Sequence, residues 1–218
     1  MDYRVFVQAR MSSRRFPGKM LAPLAGRPMV DWVLERIAQS VGRERLVLAT
    51  SVDPTDLPLA LYAQHMGYQV FRGGLDNVFA RFQDCADRHP ADWIVRISGD
   101  SPLLDSGLIG MLLAYCQSGL DLVSNVAERT FPSGQSVEII NAETLKSIDA
   151  GSLGPQEIEH VTQVFYRNPE RYRIRNVAAT DPHWRTASFV VDTLDDLIRL
   201  EPIARDGRLP IFSGAAAG

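Results

Sequence analysis

The stretch that decides the fold is Tyr3-Arg4-Val5-Phe6-Val7-Gln8-Ala9-Arg10-Met11-Ser12-Ser13-Arg14-Arg15-Phe16-Pro17-Gly18-Lys19. Val5 and Val7 share one parity, and the alternation predicts a β-strand over residues 3–9. Two serines, Pro17 and Gly18 then exclude a helix, so the strand opens into a loop. Arg10, Arg14, Arg15 and Lys19 stand in this loop with no acid among them. A basic, serine- and glycine-bearing loop after the first strand of an α/β sheet is where such folds bind phosphates. A nucleoside triphosphate is the expected ligand.

Charge distribution supports that reading. The chain of 218 residues carries a net charge of −3, yet residues 1–27 hold six bases against the single acid Asp2. A local positive site in an acidic protein suits a small anion, whereas a nucleic acid would require an extended basic face. Only Lys19 and Lys146 are lysines in a chain that otherwise uses arginine. Lysine meets phosphate as a compact point charge, and Lys19 directly follows Pro17-Gly18.

The length suits one domain, here read as residues 1–218. No apolar run is long enough to span a membrane and no secretory signal opens the chain, so a cytoplasmic protein is expected. Cys85 and Cys116 lie far apart within helical patterns and read as free thiols. The tail, residues 214–218, reads as frayed.

Strand patterns at 3–9, 45–50, 68–71, 93–97 and 120–124 alternate with helical patterns at 28–39, 57–66, 76–89 and 106–116. Pro28 suits the first turn of its helix, Asp76 is a candidate cap, and Gly67 suits the end of the second helix. This alternation implies a three-layer α/β fold with a mostly parallel sheet covered on both faces. Strands are also expected at 137–141, 172–176 and 188–191, with helices at 142–149, 156–166 and 193–205. The 126–180 segment reads as an insertion that completes a substrate site or a dimer contact.

Gly18-Lys19 is not a Walker loop, since Ser13 and Met20 stand where that motif needs glycine and a hydroxyl residue. No G-x-G-x-x-G follows the first strand either. Asp100, in Ser98-Gly99-Asp100-Ser101-Pro102-Leu103, closes a strand and could hold a divalent ion or form a turn. Asp192, in Val190-Val191-Asp192-Thr193-Leu194-Asp195-Asp196, admits a metal role or an N-cap. His65 and His89 read as helix-surface residues, and Trp32 and Trp93 as core. His160 and His183 are each open to a packing or loop role or to a place in a substrate pocket.

Gln8-Ala9-Arg10-Met11-x-Ser13-x-Arg15-x-Pro17-Gly18-Lys19, with Pro23-Leu24-x-Gly26-x-Pro28-Met29, resembles the opening of the cytidylyltransferases. The spore-coat polysaccharide type is the nearest group, with the acylneuraminate and 3-deoxy-manno-octulosonate enzymes as relatives. Gly99-Asp100-x-Pro102-Leu103-x-Asp105, Glu159-His160-Val161-Thr162 and Val191-Asp192-Thr193-x-x-Asp196-Leu197 resemble later motifs of the family, and the likeness spans about 3–200.

The resemblance implies a Rossmann-like nucleotidyltransferase that uses CTP and Mg²⁺ to make a CMP-sugar from a sugar, acidic by analogy, releasing pyrophosphate. Arg10, Arg15, Lys19 and Asp100 would be catalytic. Gln8, Ala9, Arg10, Ser13, Lys19, Ser98 and Gly99 would bind the nucleotide, and Asp100 and Asp192 the metal. Glu138, Glu159 and His160 would face the sugar, and Arg14 the solvent. A homodimer is the assembly implied. The family carries Gly-Leu-Asp-x-Glu where this chain has Gly134-Gln135-Ser136-Val137-Glu138, so Ser136 replaces an aspartate on the expected sugar side. The alternatives are a glycosyltransferase on a similar scaffold, for which Asp100-Ser101-Pro102 lacks the second acid of Asp-x-Asp, and a non-catalytic nucleotide-binding partner.

Overall fold

Val5, Phe6 and Val7 are wholly buried because their strand, β1 (Tyr3–Gln8), is the middle of a sheet covered on both faces. This is a computed structural model, and it describes residues 1–208 and 211–213. The 214–218 tail lies outside the described residues. After the basic loop, β2 (Pro23–Leu24) and β3 (Arg27–Pro28) form a small antiparallel hairpin. Pro28 therefore ends a strand and caps α1 (Met29–Val41) instead of entering its first turn.

Parallel units follow: β4 (Leu46–Ser51), α2 (Leu57–His65), β5 (Gln69–Gly73), α3 (Val78–Arg88) and β6 (Trp93–Ser98). In register, Gln8 sits between Ala49 and Ser98. After α4 (Gly107–Leu113) come β7 (Leu122–Ser124), β8 (Glu138–Asn141) and α5 (Ala142–Ser147). The seven-stranded sheet has the order β5-β4-β1-β6-β8-β7 with β9 (Ile174–Asn176) at its edge. Only β8 runs antiparallel to its neighbours. The α/β, mostly parallel expectation is met.

Strand parity divides the core. Val5, Val7, Leu48, Val95 and Ile139 pack with Val33, Ile37 and Leu112 on one face. Phe6, Val47, Ile94 and Ile140 pack with Phe79, Phe82 and Leu145 on the other. Cys85 and Cys116 are free. No described helix is long and apolar enough to cross a membrane.

Several local expectations are corrected. Asn77, not Asp76, caps α3, its Oδ1 accepting the Ala80 amide at 2.8 Å. The helix expected over 156–166 is two helices, α6 (Pro155–Glu159) and α7 (Gln163–Arg167), broken at His160. The strand expected at 188–191 is not formed, because its hydrogen bonds go to loops. Phe189 donates to the Ser133 carbonyl at 2.7 Å and Val191 to that of Asp100 at 2.9 Å. Thr193, not Asp192, caps α8 (Leu194–Asp206).

Candidate active site

The loop after β1 is folded by its own backbone and by one buried acid. Met11 O accepts the amides of Ser13 and Gly18, both at 2.9 Å, and Gly18 turns the chain with φ 78°. Asp56 has no exposed surface. It accepts the Met11 amide at 2.6 Å, the Ser51 amide at 3.2 Å and the Ser51 hydroxyl. The basic loop is thus tied to the end of β4, which preorganises its cations above the sheet.

Lys19 is the best-held of these. Its Nζ donates to Val191 O at 2.7 Å and Asp192 Oδ1 at 3.2 Å, and stands 3.7 Å from Asp100 Oδ2. Two acids 92 residues apart in sequence therefore flank one ammonium, joined also by the backbone bond from Val191 to Asp100. Arg15 reaches Asp192 Oδ2 at 2.7 Å from the solvent side, and Arg10 pairs with Glu159 at 3.2 Å. Gly99 lets β6 end tightly against β1. A Cβ there would stand 2.8 Å from Ala9 Cβ and 3.0 Å from Gln8 O, and the Gly99 amide donates to Gln8 O at 2.8 Å.

These groups line one cleft of about 1080 Å³ at the C-terminal ends of β1 and β6, where open parallel sheets bind ligands. Gln8, Ala9, Arg10, Ser13, Arg15, Lys19, Ser98, Asp100, Glu159, His160 and Asp192 are brought together there. Gly99 supports the wall from behind. Arg14, read as solvent-facing, is exposed but also borders the cleft.

Glu138 is the exception to the expected sugar side. It is 3 % exposed and does not line the cleft. Its carboxylate pairs with Arg96 and accepts the Thr162 hydroxyl at 2.6 Å and the Tyr166 hydroxyl at 2.7 Å. Ser136 likewise stays out of the cleft and meets Arg129 Nη1 at 3.4 Å. Its neighbour Gln135 is buried, accepting the Asp105 amide at 2.7 Å and donating to Leu103 O at 3.0 Å. His183 stacks edge-on against Trp184 and lies outside the cleft, as do exposed His65 and half-buried His89, the latter against Phe6.

The sequence reading missed three contributors. Arg96 lines the floor, and its signal was a lone charge inside Trp93-Ile94-Val95-Arg96-Ile97. Leu75, Asp76 and Asn77, just before α3, also line the cleft. Asp56 was hidden because nothing local to it announces a partner 45 residues away.

As a metal-holding set, Asp100 and Asp192 supply two carboxylates. No group of three or more histidine, cysteine or acidic side chains is arranged to hold a metal ion among the described residues. Two carboxylates could serve Mg²⁺, which is commonly held by one or two protein carboxylates together with several waters and substrate phosphates. They do not make a closed all-protein cage.

A family model described as cytidylyltransferase matches residues 5–198. The spore coat polysaccharide biosynthesis protein SpsF of Bacillus subtilis is 32% identical over 205 residues, covering 89% of this chain and 83% of that protein. The 3-deoxy-manno-octulosonate cytidylyltransferase 2 of Hydrogenovibrio crunogenus is 33% identical over 187 residues, covering 85% and 68%. Among solved structures, a cytidylyltransferase from Leptospira borgpetersenii superposes with a TM-score of 0.86 at 29% identity, covering 92% of this chain and 85% of that one. With the match running from β1 through Asp192 into α8, the chain belongs to the cytidylyltransferase family.

Proposed function

We propose that this chain transfers CMP from CTP to a hydroxyl of an acidic sugar and releases pyrophosphate, supplying an activated sugar for a surface polysaccharide. The observation that carries the reading is Lys19 Nζ standing between Asp100 and Asp192 beside an acid-free basic loop. The sugar hydroxyl gives up its proton to solvent water as its oxygen forms a bond to the α-phosphorus. The bond from that phosphorus to the bridging oxygen breaks, and pyrophosphate leaves with the electron pair.

In this reading Arg10, Arg15 and Lys19 bind the triphosphate and offset charge on the departing pyrophosphate, carried on a loop backbone that is already set. Arg10 leaves Glu159 and Arg15 leaves Asp192 to do so. Asp100 and Asp192 would hold Mg²⁺, which when bound polarises the phosphates. Backbone groups at Gln8, Ala9, Ser98 and Gly99, with Ser13, would face the nucleoside. Glu159 and His160 would face the sugar, and the 126–180 insertion would serve the substrate site. That assignment is supported by Pro155, Ile158, Glu159 and His160 at the cleft wall. This reading takes the enzyme as a cytoplasmic homodimer.

The test is pyrophosphate release from CTP with Mg²⁺ across a panel of sugar acids, with UTP, ATP and GTP as competitors. Turnover with CTP alone is expected. Absence of release with every sugar, together with no CTP-dependent rise in melting temperature, would overturn the reading.

A further inference from the structure

One cation in the cleft does not come from the loop. Arg10, Arg14, Arg15 and Lys19 line it from above, whereas Arg96 rises from β6 on the same side of the strand as Ser98. Its side chain is 14 % exposed and rigidly held. Nε and Nη2 donate to Gln8 Oε1 at 3.2 and 3.0 Å, and Nη1 pairs with Glu138. A guanidinium has five N–H donors, so one remains on each Nη.

Glu138 has no capacity of this kind. Buried on β8, it is occupied by Arg96, Thr162 and Tyr166. Burial, reinforced by the Glu138 charge, pushes the Tyr166 phenol well above its usual range, so the phenol stays protonated as a donor. Thr162 and Tyr166 follow directly on the cleft wall of Glu159 and His160. The Arg96–Glu138 pair therefore joins the floor of the cleft to that wall.

We propose that Arg96 binds the carboxylate of an acidic second substrate, with Gln8 and Glu138 as positioning residues that hold the guanidinium beneath it. This rests on the transferase reading above. A triphosphate requires the loop cations, and the one remaining cationic side chain lining the cleft, among the described residues, is Arg96. The planar fork can bridge Glu138 on one side and a ligand carboxylate on another, which a lysine ammonium cannot reproduce. Glu138 balances the Arg96 charge, so what the guanidinium offers a docking carboxylate is the unused N–H on each Nη.

The test uses the double variant Arg96→Gln/Glu138→Gln, because removing one member alone would strand a buried charge and could unfold the protein. Arg96→Lys serves as a charge-keeping variant without the fork. Initial rates are measured with CTP and either a sugar acid or the same sugar with its carboxyl reduced to an alcohol. For the folded double variant we expect KM for the acid to rise roughly ten- to hundredfold, as for loss of a charge-assisted hydrogen bond. KM for CTP and for the neutral sugar stay unchanged, and Arg96→Lys does not restore the acid. An unchanged KM for the acid in a folded double variant, or a parallel rise in KM for CTP, overturns the proposal. Equal use of acid and neutral sugar by the wild type overturns it alone. No turnover of CTP with any sugar overturns the transferase reading beneath it as well.

Discussion

Lys19 is the residue whose surroundings most constrain the chemistry. It donates into the gap between two carboxylates, and its side chain is buried. Lys19→Ala is expected to lower kcat/KM by about 10²–10³, the scale of losing one preorganised charge stabiliser. Single-turnover pyrophosphate release checks this, and a loss under tenfold would remove Lys19 from the phosphate site. Asp196 offers a residue-level test of stability. Burial raises its carboxyl, but hydrogen bonds from Arg199, the Asp192 and Thr193 amides and the Thr193 hydroxyl outweigh this and lower it from 3.8 to about 2. A folded value below the unfolded one makes the contribution complete above pH 3.8 and lost as the pH falls towards 2. Urea unfolding at stepped pH should show that loss in the wild type and not in Asp196→Asn.

Helix α8 begins with a reciprocal cap, in which Thr193 Oγ1 accepts the Asp196 amide at 3.2 Å and Asp196 accepts the Thr193 amide at 3.0 Å. Thr193→Ala should cost about 0.5–2 kcal/mol by denaturant unfolding. It should also weaken turnover, since Asp192 donates its own amide into the same cap. The turn at Gly134 is a second element-level constraint. Its φ is 89°, and a Cβ would stand 2.6 Å from the Phe189 carbonyl carbon. Gly134→Ala is therefore expected to lose about 2–4 kcal/mol, combining left-handed backbone cost with overpacking. What the sequence made legible follows the same division. Strand β1, its loop and α1 through β6 are written in local periodicity and turn residues, and they were read with small boundary errors. The break at His160 and the missing strand at 188–191 were not legible. Thr162 is held by Glu138, 24 residues earlier, and the backbone of 189–191 is shared between Ser133 and Asp100. Arg96 and Glu138 show the same limit at the site, because a buried carboxylate and a ligand-facing one look alike until the partners are placed.

Taken whole, the molecule sets a cationic loop over an acidic pair within a protein of net charge −3. CTP with Mg²⁺ should stabilise the fold by about 2.7 kcal/mol at a concentration a hundred times its Kd. For a chain of this size that is a rise in Tm of roughly 5–10 °C. Chelation with EDTA should remove most of the shift, and an equal shift with ATP would argue against cytosine selectivity. The sheet order carries one more consequence. Strands β1, β4 and β5 pair only with one another and with β6, and all four lie before residue 99. Next to β6 sits β8, and β7 reaches the sheet only through β8. On the ribosome the parallel half can close early, while residues 122–124 wait without a berth until 138–141 emerge. The bare flank of β6 is then a passing aggregation risk for the nascent chain. Its natural cover is the strand that brings Glu138 to Arg96, so sealing that edge and setting the floor of the cleft are one assembly step.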